Sequence, residues 1–180
     1  MLKHCQQKVN FIAKLAVIFM GLYSSNVFSV IDENNAYITI GTGKFTYLFW
    51  HIYDARLASK QGDFVDYKQS APLLLELTYL RDIKKQDFID ATVEQWQKLD
   101  NCSSEQQQNW AKKLSHIWVD IKQGDQLAAV LTRQGSVRFL FNQEEIGTVE
   151  DKAFGPAFFD IWLSPNTTAK KLRGQLLAAQ

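Results

Sequence analysis

The chain has 180 residues, of which 20 are basic and 19 acidic, and 46% of its residues are hydrophobic. This near-balance of charge, without any run of lysines or arginines, argues against nucleic acid as a partner. The length suffices for one domain with its own hydrophobic core.

The first 29 residues have the pattern of an export signal. Three lysines without any acidic residue precede the apolar run from Leu15 to Tyr23, and small residues lead to a cleavage point after Ser29. The apolar run is shorter than the roughly 20 residues that a membrane span needs, so retention as an anchor is the less favoured alternative. We expect a signal peptide over residues 1–29, a periplasmic or secreted location, and a single domain over residues 30–180 with no stable membrane span.

The domain beyond this signal contains one cysteine, Cys102, and 17 basic against 19 acidic residues. One cysteine cannot form an internal disulfide, so we expect the hydrophobic core alone to hold the domain. His51 and His116 are two lone histidines, far apart in the chain and outside any cluster of aspartate or cysteine, so the sequence predicts no metal site. No phosphate-binding or nucleophile motif follows any strand, and we expect no cofactor.

The stretch from Gly41 to Leu57 predicts one long central strand, entered from a short strand, Ala36 to Ile40, through a glycine bend or bulge. Alternation would place five aromatic or imidazole side chains on one face of it. They are Phe45, Tyr47, Phe49, His51 and Tyr53. Such a face either packs under helices or lines a ligand site, and packing is the more common outcome.

A second strand and two helices are predicted next. Leu73 to Leu80 is a nearly continuous apolar run, typical of a buried strand. Lys84 to Leu99 has apolar residues at helical spacing, with Asp82 as a candidate cap. Ser103 and Gln106 are spaced as a capping box for a further helix.

The remaining residues return to strands and then to helices. A hairpin is predicted from Gln126 to Phe141, followed by a short strand that ends at Gly147. Asp151 to Leu163 predicts a helix, and Thr167 or Thr168 is expected to cap a last one. The order of strands, helices, strands and helices favours an α+β fold with an antiparallel sheet.

Four blocks of this sequence resemble the chalcone isomerase-like domain of exported bacterial proteins. They are GTGK at 41–44, FWHIYDARL at 49–57, LELTYLRDI at 75–83 and AFFDIWL at 157–163. The resemblance implies an open-faced β-sandwich, in which a layer of helices covers one face of a long antiparallel sheet. It also implies a cleft between sheet and helices that holds a hydrophobic molecule: a flavonoid in the plant enzymes, a fatty acid in the binding members.

The resemblance points to Lys44 and Tyr53 as the cation and the hydroxyl of that cleft, with His51 as the nearest histidine. A cation beside a phenol suits an acidic ligand, either a carboxylate or a phenolate. Lys44 and Tyr53 are an odd number of residues apart, so they converge only across a bulge. We expect a small hydrophobic or acidic ligand to bind Lys44, Tyr53 and His51.

The family's enzymes also use a tyrosine and an asparagine after the second strand to polarise a carbonyl. Here no tyrosine follows Tyr79, no asparagine lies between Tyr79 and Asn101, and Phe88 stands at the tyrosine's place. Losing one such donor typically costs about a hundredfold in rate. We therefore expect a non-catalytic binding domain. The alternatives are an isomerase acting on another substrate and a structural or protein-interaction module with a closed cleft.

Overall fold

The computed structural model describes residues 37–177, and the predicted signal peptide lies outside them. The described residues form one six-stranded antiparallel sheet in which the strands neighbour each other in chain order. The strands are β1 (Ile38–Tyr47), β2 (Trp50–Ser59), β3 (Leu73–Tyr79), β4 (Gln126–Leu131), β5 (Val137–Phe141) and β6 (Glu144–Val149).

Four helices pack on one face of this sheet. They are α1 (Lys85–Leu99), α2 (Ser104–Ile117), α3 (Phe154–Leu163) and α4 (Lys170–Leu176). Their buried side chains form a single cluster with the inward residues of the strands, because alternation along β3 turns Leu73, Leu75, Leu77 and Tyr79 toward the helices. The predicted α+β fold, an open-faced β-sandwich with helices on one face, is confirmed.

The predicted single strand from Gly41 to Leu57 is in fact a hairpin. β1 and β2 pair through a two-residue turn, Leu48-Phe49, and Leu48 has a φ of 55°. Neither turn residue is a glycine, asparagine or proline, so the sequence carries no turn signal there. The hairpin places Phe45 directly opposite Tyr53, and their rings stack at 5.0 Å.

The glycines of β1 allow α4 to approach the strand closely. A Cβ on Gly41 would overlap the backbone carbonyl of Leu176, and one on Gly43 would lie 2.6 Å from a Leu172 methyl carbon. Substitution at either glycine would therefore push α4 away from the sheet. The glycines predicted as a bend thus seat α4 against β1.

The helix starts agree in part with the sequence. The capping box of Ser103 and Gln106 is confirmed. Asp82 does not cap α1, because the N-cap of that helix is Lys84. The Asp82 carboxylate instead accepts hydrogen bonds from the Lys122 side chain and from the backbone N–H of Gln123. The N-cap of α4 is Ala169, not a threonine, and no side chain caps it. None of the helices in residues 37–177 is long and apolar enough to span a bilayer.

Candidate functional site

An apolar cavity of about 170 Å³ lies between the sheet and the helices. Its walls come from β1, β2, β3, α1, α3 and the segments that flank the helices. The lining residues are Phe45, Ile52, Tyr53, Tyr79, Ile83, Asp87, Phe88, Ala91, Thr92, Gln95, Ile161, Trp162, Thr168 and Ala169. Within residues 37–177, Asp87 is the only charged side chain of this lining. An apolar guest is therefore favoured, whereas a buried carboxylate without a cation would be costly.

Tyr53, one of the three predicted site residues, lines this cavity. Its side chain is 8% exposed, and Trp162 Nε1 donates a hydrogen bond to its Oη at 2.9 Å. Burial raises the pKa of Tyr53 well above the usual value for a phenol, so the hydroxyl stays protonated. Because Trp162 uses a lone pair of Oη, the O–H remains able to donate to a ligand.

Tyr79 is a second phenol of the cavity, and the sequence analysis did not select it. Its ring meets those of Tyr53 and Phe88 edge-on, at 5.6 and 5.9 Å. The Tyr79 hydroxyl is buried and has no hydrogen-bond partner within residues 37–177. Burial raises the pKa of Tyr79 well above its ordinary value, and the nearby Tyr53 adds to this effect. The alternation of β3 was a signal that could have found it.

The two phenols are expected to affect stability in opposite directions. Tyr79→Phe removes a buried hydroxyl without a partner, so it should raise the free energy of unfolding of the ligand-free protein by about 1 kcal/mol. Tyr53→Phe strands the Trp162 indole N–H and should lower it by about 1–3 kcal/mol. Urea denaturation of both variants beside the wild type measures the difference. If Tyr79→Phe destabilises the protein as much as Tyr53→Phe does, the Tyr79 hydroxyl has a hydrogen-bond partner.

The structure does not bring Lys44 and Tyr53 together. The bulge in the hairpin follows Phe45, so the side chain that faces Tyr53 from β1 is Phe45, and Lys44 pairs with Asp54 instead. Lys44 Nζ lies 3.8 Å from Asp54 Oδ1, and the lysine side chain is 62% exposed. The predicted convergence of a cation and a phenol inside one cleft therefore does not occur.

Lys44 and His51 instead line a second cavity of about 400 Å³, here called the basic cleft. Lys170 and Lys171 at the start of α4 complete its positive lining. The other lining residues are Phe45, Thr46, Thr168, Ala169, Leu172 and Gln175. Among the described residues no acidic side chain lines this cleft, so it suits an anion.

The apolar cavity and the basic cleft share three wall residues: Phe45, Thr168 and Ala169. At this junction Thr168 Oγ1 donates to Gln95 Oε1 at 2.6 Å, which ties the segment before α4 to α1. The two cavities thus adjoin, one offering apolar surface and the other positive charge. The pair of cavities therefore matches the two ends of an amphiphilic acid, its apolar end in the apolar cavity and its acid group in the basic cleft.

Phe88 occupies the α1 wall of the apolar cavity, where the resemblance placed the enzymes' tyrosine. Its ring stacks on Trp118 at a centroid distance of 4.1 Å. A phenyl ring has no hydroxyl with which to polarise a carbonyl. This position can pack against a ligand but cannot donate a hydrogen bond to it.

The six-stranded antiparallel sheet, covered on one face by the helix layer, defines an open-faced β-sandwich of the α+β class. The chalcone isomerase-like family matches residues 47–178, and the chain belongs to that family. The resemblance inferred from the four sequence blocks is therefore confirmed.

Known proteins that are similar to this chain include one from a plant and one from a bacterium. A crystal structure of a fatty-acid binding protein from Arabidopsis thaliana superposes with a TM-score of 0.61, at 11% identity, over 79% of this chain and 87% of that one. An uncharacterized protein of Haemophilus influenzae is 28% identical over 138 residues, which are 77% of this chain. The match covers 66% of that relative, slightly less than two thirds of its length.

Proposed function

We propose that this protein is an exported, non-catalytic binding protein for a small hydrophobic acid. The apolar end of the ligand occupies the apolar cavity, and its acid group lies in the basic cleft. The observation that carries the proposal is the shared wall of Phe45, Thr168 and Ala169 between an almost uncharged cavity and a lysine-lined one. The fatty-acid binding of the Arabidopsis thaliana protein with the same fold supports this class of ligand.

The size of the apolar cavity limits the part of the ligand that it holds. An engineered cavity of about 150 Å³ in another protein takes a single benzene ring, and this one measures about 170 Å³. A ring or a short acyl segment therefore fits inside, and the remainder of a longer ligand extends into the basic cleft. Affinity should rise with acyl chain length until the cavity is filled and then level off.

Three features favour binding of the ligand's acid group in the basic cleft rather than in the apolar cavity. The apolar cavity contains no cation, and Asp87 would repel a carboxylate there. The pKa values of Tyr53 and Tyr79 are both raised, so they provide neutral donors and no compensating charge. Lys170 and Lys171 are exposed at the start of α4, where an incoming carboxylate can pair with them.

Calorimetric titration with saturated carboxylic acids of increasing length, and with the matching primary alcohols, tests the proposal. Acids should bind more tightly than alcohols of the same length, because a charge-assisted hydrogen bond contributes about 1.5–3 kcal/mol. Replacing both Lys170 and Lys171 with glutamine should weaken acid binding roughly tenfold and leave alcohol binding unchanged.

The control carries Lys112→Gln and Lys113→Gln, two exposed lysines of α2 that line neither cavity. It removes the same charge and should bind acids as the wild type does. Equal affinity for acids and alcohols would contradict the placement of the acid group. Conversion of an added chalcone to a flavanone would contradict the non-catalytic assignment.

Export predicts a mature chain beginning at Val30, which mass spectrometry of fractionated cells can detect.

A further inference from the structure

The tip of the β1–β2 hairpin exposes four consecutive large hydrophobic residues. Tyr47 is 64% exposed, Leu48 74%, Phe49 96% and Trp50 59%. Single exposed hydrophobic residues are common on soluble proteins, but a contiguous group of this size marks an interaction site. At the tip only β1 and β2 pair, because the pairing of β2 with β3 begins at Tyr53, so the tip is narrow enough to insert into a soft surface.

The turn geometry does not account for these residues. Leu48 has a φ of 55°, in the left-handed region where glycine or asparagine is preferred and leucine is uncommon. A turn selected for its backbone alone would carry one of those residues. The backbone of the turn therefore gives no reason for a leucine at this position, and the leucine side chain is largely exposed.

The charge around the tip is positive. The Arg81 guanidinium lies 4.3 Å above the Trp50 ring. The nearest acidic side chains along the chain, Asp54 and Asp82, have cations beside them, Lys44 and Lys122 respectively. This surface is complementary to an anionic one.

We propose that the hairpin tip docks on a lipid bilayer that carries anionic headgroups. Leu48 and Phe49 enter the acyl boundary, while Tyr47 and Trp50 lie at the headgroup level that tyrosine and tryptophan prefer. Arg81 contacts the headgroups beside Trp50. A protein groove is the less fitting partner because aromatic side chains with flanking cations match an anionic bilayer interface in both polarity and charge.

The tip is also continuous with the ligand site. Phe45 and Ile52, each two residues from the exposed group, line the apolar cavity. A docked tip would therefore hold the cavity close to the bilayer, where hydrophobic acids dissolve. Docking itself does not depend on the proposed ligand, so the two proposals can fail separately.

Tryptophan fluorescence tests docking at the tip itself. The chain has five tryptophans, and Trp96, Trp110, Trp118 and Trp162 are at most 4% exposed, so Trp50 is the accessible one. The full chain is mixed with phosphatidylcholine vesicles, with or without phosphatidylglycerol, that contain brominated acyl chains. Trp50 should be quenched, and more strongly on the anionic vesicles. The first 29 residues contain no tryptophan and add no emission of their own, and the tip variant, which keeps those residues, shows whether the quenching of Trp50 depends on the tip.

The test variant carries Leu48→Asn and Phe49→Ser, since asparagine tolerates the backbone of residue 48 and the hairpin should persist. Its fraction of quenched Trp50 should fall at least about tenfold. The control Val65→Ser removes an apolar residue that is 61% exposed elsewhere, and should be quenched as the wild type is. Absence of quenching in the wild type, or equal quenching in the test variant, overturns the proposal. A wild-type dimer that forms without lipid, as measured by sedimentation, and that is absent in the test variant would also overturn the proposal.

Discussion

Ala91→Trp is expected to weaken binding of a hydrophobic acid by about a hundredfold, because burying an apolar group of that size contributes about 1.5–3 kcal/mol. Ala91 lies on the α1 wall of the apolar cavity and is exposed at its rim. An indole ring is larger than the single ring that a cavity of this size accepts. The new side chain should therefore cover the cavity and exclude the ligand's apolar end.

Ala169→Phe approaches the same space from the opposite wall, at the junction with the basic cleft, and should have a similar effect. Gln97→Trp is the matched control: it adds the same ring to an exposed position of α1 that lines neither cavity. Calorimetric titration with one carboxylic acid measures all three variants. Wild-type affinity in both Ala91→Trp and Ala169→Phe would show that the ligand does not use this cavity.

Trp96→Ala is expected to lower the free energy of unfolding by about 3–5 kcal/mol. Trp96 is fully buried, and its Nε1 donates to the carbonyl oxygen of Ala157 at 3.1 Å, which joins α1 to α3. Its ring meets Trp110 at 5.4 Å and Phe154 at 6.0 Å. The substitution leaves a large void and removes the hydrogen bond between two helices. Domains of this size have only about 5–15 kcal/mol of stability, so much of it should be lost.

Urea denaturation followed by far-ultraviolet circular dichroism measures this loss. Trp50→Ala is the control: the same substitution at a tryptophan that is 59% exposed should change the free energy of unfolding by less than about 1 kcal/mol. If Trp96→Ala does not fold, Trp96→Phe keeps an aromatic ring without the N–H and should cost about 1–3 kcal/mol. Equal stability of the Trp96 and Trp50 variants would refute the packing described here.

Local patterns in the sequence were sufficient for most of the fold. The alternation of Leu73 to Tyr79 and the helical spacing from Lys84 to Leu99 agree with β3 and α1. The capping box at Ser103 agrees with the start of α2. These elements were predictable because each apolar residue there lies where the period of its own element turns it toward the core.

The β1–β2 hairpin and its register were not predictable from local pattern. Leu48 and Phe49 carry no turn signal, and the turn forms because β2 pairs with β1 on one side and β3 on the other. That pairing buries Ala55 and Leu57, which offsets the unfavourable backbone of Leu48. The bulge after Phe45 then decides which neighbour of Tyr53 enters the cavity.

The sequence by itself determined the α+β class, the buried strand and the amphipathic helices, because these follow from the spacing of apolar residues along one element. The resemblance to the family also pointed to Tyr53, which lines the apolar cavity. Only the tertiary structure decided that Phe45 faces Tyr53, that Tyr79 lines the same cavity, and that Lys44, Lys170 and Lys171 line a separate cleft. Strand register and helix docking set those neighbours, and both depend on contacts between residues far apart in the chain.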